Sequence, residues 1–211
     1  MTVDQSSESD AARALLQRYA RISTATWSDA LDEVGIEGVV SGLPRPSGEG
    51  RCVGFAMTAH ADVGPMGGFA LKDFSQDRMI AAAGRTDVLV VDAGGVEVSC
   101  MGGIVALSAH NKGIEGVVID GPCRDIEDIR KVGLWVASRH LTPRTGKRRV
   151  RLGGFWRTDH AGRCPGSSGR LGGGRRDGAR HRPARPPRCR AGYCRTCEYL
   201  GRATGRRRCC G

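Results

Sequence analysis

Residues 113–125 constrain this chain more than any other stretch. They read Gly-Ile-Glu-Gly-Val-Val-Ile-Asp-Gly-Pro-Cys-Arg-Asp. Residues 116–119 form a short, apolar, β-branched run between glycines, the pattern of a strand buried on both faces. Residues 125–132 then predict a helix, with Asp125 at or near its N-cap, acids in its first turn, basic residues in its last and Gly133 beyond. Arg124 and Asp125 therefore fall in a strand-to-helix turn, at the carboxyl end of a strand, where α/β proteins place ligand chemistry. A permanently charged planar cation beside a hard oxygen donor suits one task. It can hold a carboxylate or enolate oxygen while the aspartate anchors a divalent metal.

The surrounding sequence alternates in the same way. Helices are expected over 10–19 and from Ser28 as N-cap to Gly35, followed by a Gly/Pro/Ser-rich connection over 38–50. Residues 52–61 alternate, with Val53, Phe55 and Met57 on one face, and predict a half-buried strand. A loop containing Gly64-Pro-Met-Gly-Gly68 follows. A helix over 73–83, a buried strand over 88–91, a helix over 103–111 stopped by Gly113, and a strand over 134–137 complete the pattern. Strands alternating with helices give an α/β fold.

Charge divides the chain in two. Residues 1–147 hold 15 Lys and Arg against 19 Asp and Glu, whereas residues 148–211 hold 18 against 3. The overall +11 therefore comes from the second part, and the first is a mildly acidic domain. That second part has 18 Arg and no Lys, with 13 Gly, 6 Cys and no Ile. It lacks the apolar surface to offset the entropy of ordering it, so residues 156–211 are expected to be disordered and residues 1–155 to form the domain. Arg, Gly, Pro, Cys and Ala together also match a GC-rich gene read out of frame, so a frameshift soon after Phe155 is expected. The arginines would attract polyanions non-specifically, and no specific nucleic-acid partner is expected. No secretory leader is read at the start, where Asp4, Glu8 and Asp10 interrupt it, and no apolar run approaches the ~20 residues a membrane span needs. A cytoplasmic protein is expected.

Cysteine and histidine suggest little chemistry. Cys52, Cys100 and Cys123 have unrelated spacings and read as small buried hydrophobes. Cys164, Cys189, Cys194, Cys197, Cys209 and Cys210 lie in the tail with no hairpin pattern to support a zinc knuckle. His60, His110, His140, His160 and His181 do not converge in the pattern and read as local hydrogen-bonding or surface residues. Asp92-Ala-Gly94-Gly95 follows a strand, yet no G-x-G-x-x-G frames it, so no dinucleotide site is expected. Gly102-Gly103 is more telling, because free N–H groups at the start of the following helix would seat an anion. Glu97, near this loop, is a weaker candidate for ligating or positioning water.

Twenty residues separate Gly103 from Arg124, and Asp128 follows Asp125 after two. This G-x20-R-D-x2-D arrangement resembles the RraA-like family. Thr24-Ala-Thr-Trp-Ser-Asp-Ala-Leu-Asp32, Gly102-Gly103 and Leu141-Thr-Pro-Arg-Thr-Gly146 fit the same family, and the resemblance runs from about Ile22 to about Phe155. The family contains divalent-metal 4-hydroxy-4-methyl-2-oxoglutarate aldolases, related oxaloacetate decarboxylases and regulators of ribonuclease E activity. The resemblance implies a layered β/β/α swivelling-domain fold, a homotrimer, a small 2-oxo acid substrate, and Mg²⁺ or Mn²⁺. It also implies site roles. Gly102, Gly103, Ile104 and Val105 form the substrate loop, Arg124 is the catalytic and substrate-binding cation, Asp125 is the metal ligand and Asp128 a support for it.

Two points shape the expected activity. Best-matching aldolases carry an acid where this chain has Gly103, so a helper for hydroxyl deprotonation is missing and decarboxylation is favoured over aldol cleavage. The regulatory branch typically lacks an aspartate after the arginine, so Asp125 favours the metal-dependent lyase over a non-catalytic regulator. Nucleic-acid binding through the tail ranks below both.

Overall fold

The computed structural model describes residues 5–157. The expected tail over 156–211, its six cysteines, His160 and His181 lie outside these residues, apart from the last two positions of the final strand. The described chain runs α1 (Gln5–Ala20), α2 (Thr24–Glu33), β1 (Phe55–Val63), α3 (Gln76–Ala82), β2 (Asp87–Asp92), α4 (Gly103–Lys112), β3 (Gly116–Cys123), α5 (Ile126–Val132), β4 (Val136–Leu141) and β5 (Val150–Arg157). Its five strands form one sheet in the order β4-β3-β2-β1-β5. The first four are parallel neighbours, joined through α3, α4 and α5, and β5 returns antiparallel to β1. The fold is α/β, as expected.

Strand alternation explains the layers. Along β2, Asp87, Leu89 and Val91 are buried while Val88, Val90 and Asp92 are half-buried. The buried positions join Met57, Ala59, Val117, Ile119 and Val136 from neighbouring strands in one core with Met79 of α3, Ala106 and Ala109 of α4 and Ile129 of α5. Ala106 and Ala109 are wholly buried; with so little side chain, they let α4 lie close to the sheet. Ile129 is equally buried, and enclosing a side chain of this size contributes about 1.5–3 kcal/mol. This seating fixes the N-terminus of α4 relative to the carboxyl end of β3.

Several boundaries differ from the sequence expectation. α1 begins at Gln5 and α2 at Thr24, before the expected Ser28, because the Ser23 hydroxyl accepts the Thr26 N–H at 3.1 Å and caps the helix from there. The first strand begins at Phe55, not 52; a Cβ at Gly54 would stand 2.7 Å from the Thr86 carbonyl oxygen, a close approach just before pairing starts. The expected helix over 73–83 is split. Asp73 accepts the Ala70 N–H at 2.9 Å and closes a 3-10 turn over Leu71–Asp73, and α3 starts afresh at Gln76.

β3 outlasts its apolar run and continues through Gly121 and Pro122 to Cys123. Its pairing with β4 shifts register between Ile119 and Pro122, an irregularity that accommodates a residue with no N–H to donate. β4 correspondingly starts at Val136 and runs to Leu141. β5 was not expected. Val150 and Leu152 carry its core face, but Gly153 and Gly154 break the alternation, and Gly154 adopts φ +60° beside a register shift in the β1–β5 pairing.

Candidate functional site

Three chain segments leave the sheet side by side at the carboxyl end of β3. Met101 forms an isolated parallel bridge to Cys123, and Leu141 pairs with Cys123 from the other side. The Arg124 N–H donates to the Met101 carbonyl at 3.0 Å, and the Thr142 N–H donates to the Cys123 carbonyl at 3.0 Å. Gly102, Arg124 and Thr142 thus emerge at one level, and the start of α4 faces the start of α5.

Asp125 is the hinge of this arrangement. It is the N-cap of α5 but has left-handed dihedrals, φ 56° and ψ 44°, and its side chain makes no capping bond to its own helix. Aspartate tolerates this region better than most residues. The conformation turns the carboxylate toward α4, where Oδ2 accepts the Gly103 N–H at 3.3 Å and lies 3.4 Å from Arg124 Nε. Asp125 Oδ1 has no protein donor among the described residues. The side chains of Arg124 and Asp125 are 33% and 40% exposed, so both are held yet reachable.

Gly102 and Gly103 are required here for space. Gly102 has ordinary extended dihedrals, but a Cβ on it would lie 2.6 Å from Asp125 Oδ2 and 3.1 Å from Arg124 Nε. A Cβ on Gly103 would lie 2.8 Å from the Asp128 Cβ. The Gly103 N–H is occupied by Asp125, and the Ala106 N–H donates to the Gly102 carbonyl at 3.0 Å. The N–H groups of Ile104 and Val105 have no protein partner among the described residues. Two free amides at a helix N-terminus beside a guanidinium are an arrangement that can accept an anion. Ile104 points its side chain outward, 83% exposed, so its contribution to that arrangement is its amide. Val105 is half-buried and packs on the core.

The predicted residues Gly102, Gly103, Arg124, Asp125 and Asp128 are therefore brought together. Asp128 lies against Gly103, with its carboxylate 64% exposed and paired to Lys131 at 3.1 Å. Among the described residues, no cluster of three or more His, Cys, Asp or Glu side chains stands ready to hold a metal. The donor set fits a hard cation all the same. Mg²⁺ is commonly held by one or two carboxylates, with water and substrate oxygens completing the shell, and Asp125 offers one unengaged oxygen.

The described histidines do not converge. His60 lies on β1 between Asp62 and Asp92, at 3.5 and 3.3 Å. His110 is exposed on α4. His140 on β4 meets Glu97, Nε2 to Oε2 at 3.2 Å. Asp120 pairs with Arg139. The sequence carries no signal for the His140–Glu97 meeting, because the two residues are 43 positions apart and join only through strand order.

The three domain cysteines are free thiols; Cys100 and Cys123 are buried and Cys52 is half-buried. Burial pushes the Cys100 thiol up to about 12. Burial, with the Glu115 charge adding to it, does the same for Cys52, also to about 12. Cys123 is raised by burial, partly opposed by its bond to Ser138 and by a backbone hydrogen bond, with the nearby Asp125 charge adding to the rise. None is disposed to act as a thiolate nucleophile. No described helix is long and apolar enough to cross a membrane.

Comparison with known proteins matches this geometry to a family. The family model RraA-like, described as Aldolase/RraA, matches residues 24–159. A protein of Alcanivorax borkumensis named "Putative 4-hydroxy-4-methyl-2-oxoglutarate aldolase" is 37% identical over 67 residues, 31% of this chain and 42% of that one. A solved structure from Pseudomonas syringae pv. tomato, of an uncharacterized protein, superposes with TM-score 0.60 at 28% identity, covering 68% of this chain and 64% of that one. Streptomyces coelicolor RraAS2, described as an unusual member of the RNase ES inhibitor RraA protein family, superposes with TM-score 0.58 at 25% identity, covering 67% and 71%. The chain spans only 23% to 42% of the length of the curated relatives it matches. The match over residues 24–159, together with the likeness to the solved Streptomyces structure, places the chain in the RraA-like family, which holds both carbon–carbon lyases and regulators of ribonuclease E.

Proposed function

We propose that this protein is a divalent-metal-dependent lyase that cleaves a carbon–carbon bond in a pyruvate-type 2-oxo acid, with oxaloacetate and 4-hydroxy-4-methyl-2-oxoglutarate as the substrates to test. One observation carries the reading. The Asp125 carboxylate, turned by a left-handed backbone, holds the Gly103 amide and lies against Arg124 while keeping its second oxygen free of protein donors among the described residues. Asp125 would hold Mg²⁺ or Mn²⁺, and Asp128, one helical turn away, would support it. Such a cation would supply an electron sink for the negative charge that develops on the substrate's keto oxygen.

The remaining chemistry belongs to the chain. The Ile104 and Val105 amides receive a substrate carboxylate at the N-terminus of α4. Arg124, fixed by its backbone bond to Met101, places a guanidinium where negative charge develops on oxygen as the bond breaks. Gly103 supplies no acid for hydroxyl deprotonation, which favours decarboxylation over aldol cleavage. A homotrimer is the assembly we propose on the family resemblance.

The test is release of pyruvate from both substrates by the full chain, with and without EDTA, against a protein-free control. Decarboxylation of oxaloacetate should vanish with EDTA, return with Mg²⁺ or Mn²⁺, and be absent in Asp125→Ala. Activity that survives both EDTA and Asp125→Ala sinks the proposal. A second reading, a regulator of ribonuclease activity, draws on the description of the Streptomyces neighbour. Ribonuclease inhibition unaltered by Asp125→Ala, without turnover of either substrate, would favour it.

A further inference from the structure

The reaction proposed above must move a proton, and the residues gathered around Asp125 are poorly equipped to move it. When a β-keto acid loses CO₂, the electron pair of the broken C–C bond becomes the C=C of an enolate. That enolate must gain a proton at carbon to become the 2-oxo acid product. Gly102 and Gly103 have no side chains, a guanidinium has no lone pair to accept a proton, Asp125 turns one oxygen to the Gly103 amide and Arg124 and keeps the other for the proposed cation, and Asp128 is paired to Lys131.

A titratable pair lies across the end of β3. His140 sits on β4 with its Cα paired to Pro122, two residues before Arg124. Its Nε2 reaches Glu97, 3.2 Å away, in the loop that leaves β2 and arrives at Gly102. Because β3 lies between β4 and β2, this contact crosses the carboxyl end of β3 just before the Arg-Asp pair. The backbone there is tied to its own strand, where the Ser138 hydroxyl donates to the His140 carbonyl at 3.4 Å. Its Nε2 atom is buried and makes no well-formed hydrogen bond among the described residues, Glu97 lying at ion-pair distance only. Nε2 is thus turned to Glu97, and Nδ1, which has no protein partner among the described residues, is the nitrogen left to meet a ligand.

We infer that His140, oriented by Glu97, is the proton-exchanging residue of this site; the inference rests on the lyase reading above. In decarboxylation the imidazolium Nδ1–H bond breaks, its electron pair stays on nitrogen, and the C=C pair of the enolate takes the proton to form C–H while the C=O is restored. The neutral imidazole then regains a proton from water. In aldol cleavage neutral His140 takes the hydroxyl proton, the O–H pair becomes the new C=O, and the C–C pair leaves as the enolate. Glu97 is a positioning residue, acting only through the imidazole.

The experiment measures kcat and KM for oxaloacetate in the full chain and in His140→Ala, His140→Gln, Glu97→Gln and Asp125→Ala, with Mn²⁺ binding followed in each. His140→Ala and His140→Gln should lower kcat about 100-fold with KM and Mn²⁺ binding little changed. Free imidazole should recover about tenfold of the loss in His140→Ala, the signature of a missing proton carrier. Glu97→Gln should lower kcat less than either His140 variant. Full kcat in His140→Ala alongside an inactive Asp125→Ala overturns this inference and leaves the lyase reading standing. A kcat loss accompanied by lost Mn²⁺ binding and no imidazole recovery marks a structural role and also overturns it. Activity retained in Asp125→Ala removes the lyase reading itself, and the inference falls with it.

Discussion

Two glycine pairs flank the loop that joins β2 to α4, and they are glycines for opposite reasons. Gly94 and Gly95 have φ +62° and +72°, with open space around the first and only the Arg139 side chain near the second. They are there for conformation, since a side chain would fit but the backbone would resist it. Gly102 has φ −139°, which any residue adopts, yet a Cβ there would lie 2.6 Å from the Asp125 carboxylate. It is there for space. The first pair turns the chain and the second lets an acid and a guanidinium close on a helix N-terminus. A Gly-Gly dipeptide looks the same in both places until the neighbours are known.

Substitution separates the two causes. Gly102→Ala should have the largest effect, pushing the Asp125 carboxylate and the Arg124 guanidinium off position. Turnover should fall about 100-fold, as for a misplacement near 1 Å, while the near-ultraviolet circular dichroism of the fold is kept. Gly103→Ala comes next, because the new Cβ meets the Asp128 Cβ at 2.8 Å. Overpacking of this kind costs about 1–3 kcal/mol. Gly103→Ala combined with Asp128→Gly, which removes the opposing Cβ, should recover part of the lost stability in chemical denaturation. Failure to recover any would mean that Gly103 is constrained by something else.

Gly94→Ala should touch stability and leave turnover alone. An L-residue at positive φ costs about 1–2 kcal/mol, read as a fall in Tm of a few degrees. If Gly94→Ala abolished activity with the melting temperature intact, the contrast between the pairs would break.

The smallest effect at neutral pH lies in two thiols, the buried Cys100 within the loop and the half-buried Cys52 beside Gly116. Cys100 and Cys52 are raised from 9.0 to about 12 in the folded chain. In the unfolded chain they lose protons first, so they contribute stability fully present below about pH 9 and lost as pH rises toward about 12. Thermal melts should therefore fall over that window, and less steeply in Cys100→Ala. An unchanged slope would show that other groups govern the alkaline limb.

Much of this was legible in the sequence because it is local. The apolar run over 116–119, the acids and bases ordered along 125–132 and the glycine stop at 113 each act within one element, and β3, α5 and the end of α4 stand where they point. Gly102, Gly103, Arg124 and Asp125 could be named together through their spacing. Other features depend on partners distant in sequence. β5 is a strand because β1 offers an edge, although Gly153 and Gly154 interrupt its alternation. The extension of β3 through Pro122 depends on a register shift against β4. Asp128 reads as a helix-start acid, and only the approach of α4 to α5 shows that its Cβ fills the space beside Gly103. His140 and Glu97 meet across a strand neither belongs to. The left-handed backbone at Asp125 has no sequence signature either, since aspartate usually caps a helix with its own side chain.

The central claim is that Asp125 holds a divalent cation beside Arg124. Its most direct test is Mn²⁺ binding to the full chain, followed by the loss of the free-ion electron paramagnetic resonance signal, in the natural sequence and in Asp125→Ala. The account predicts that the natural sequence takes up Mn²⁺ and that Asp125→Ala, with unchanged circular dichroism, does not. Equal uptake by both proteins would contradict it.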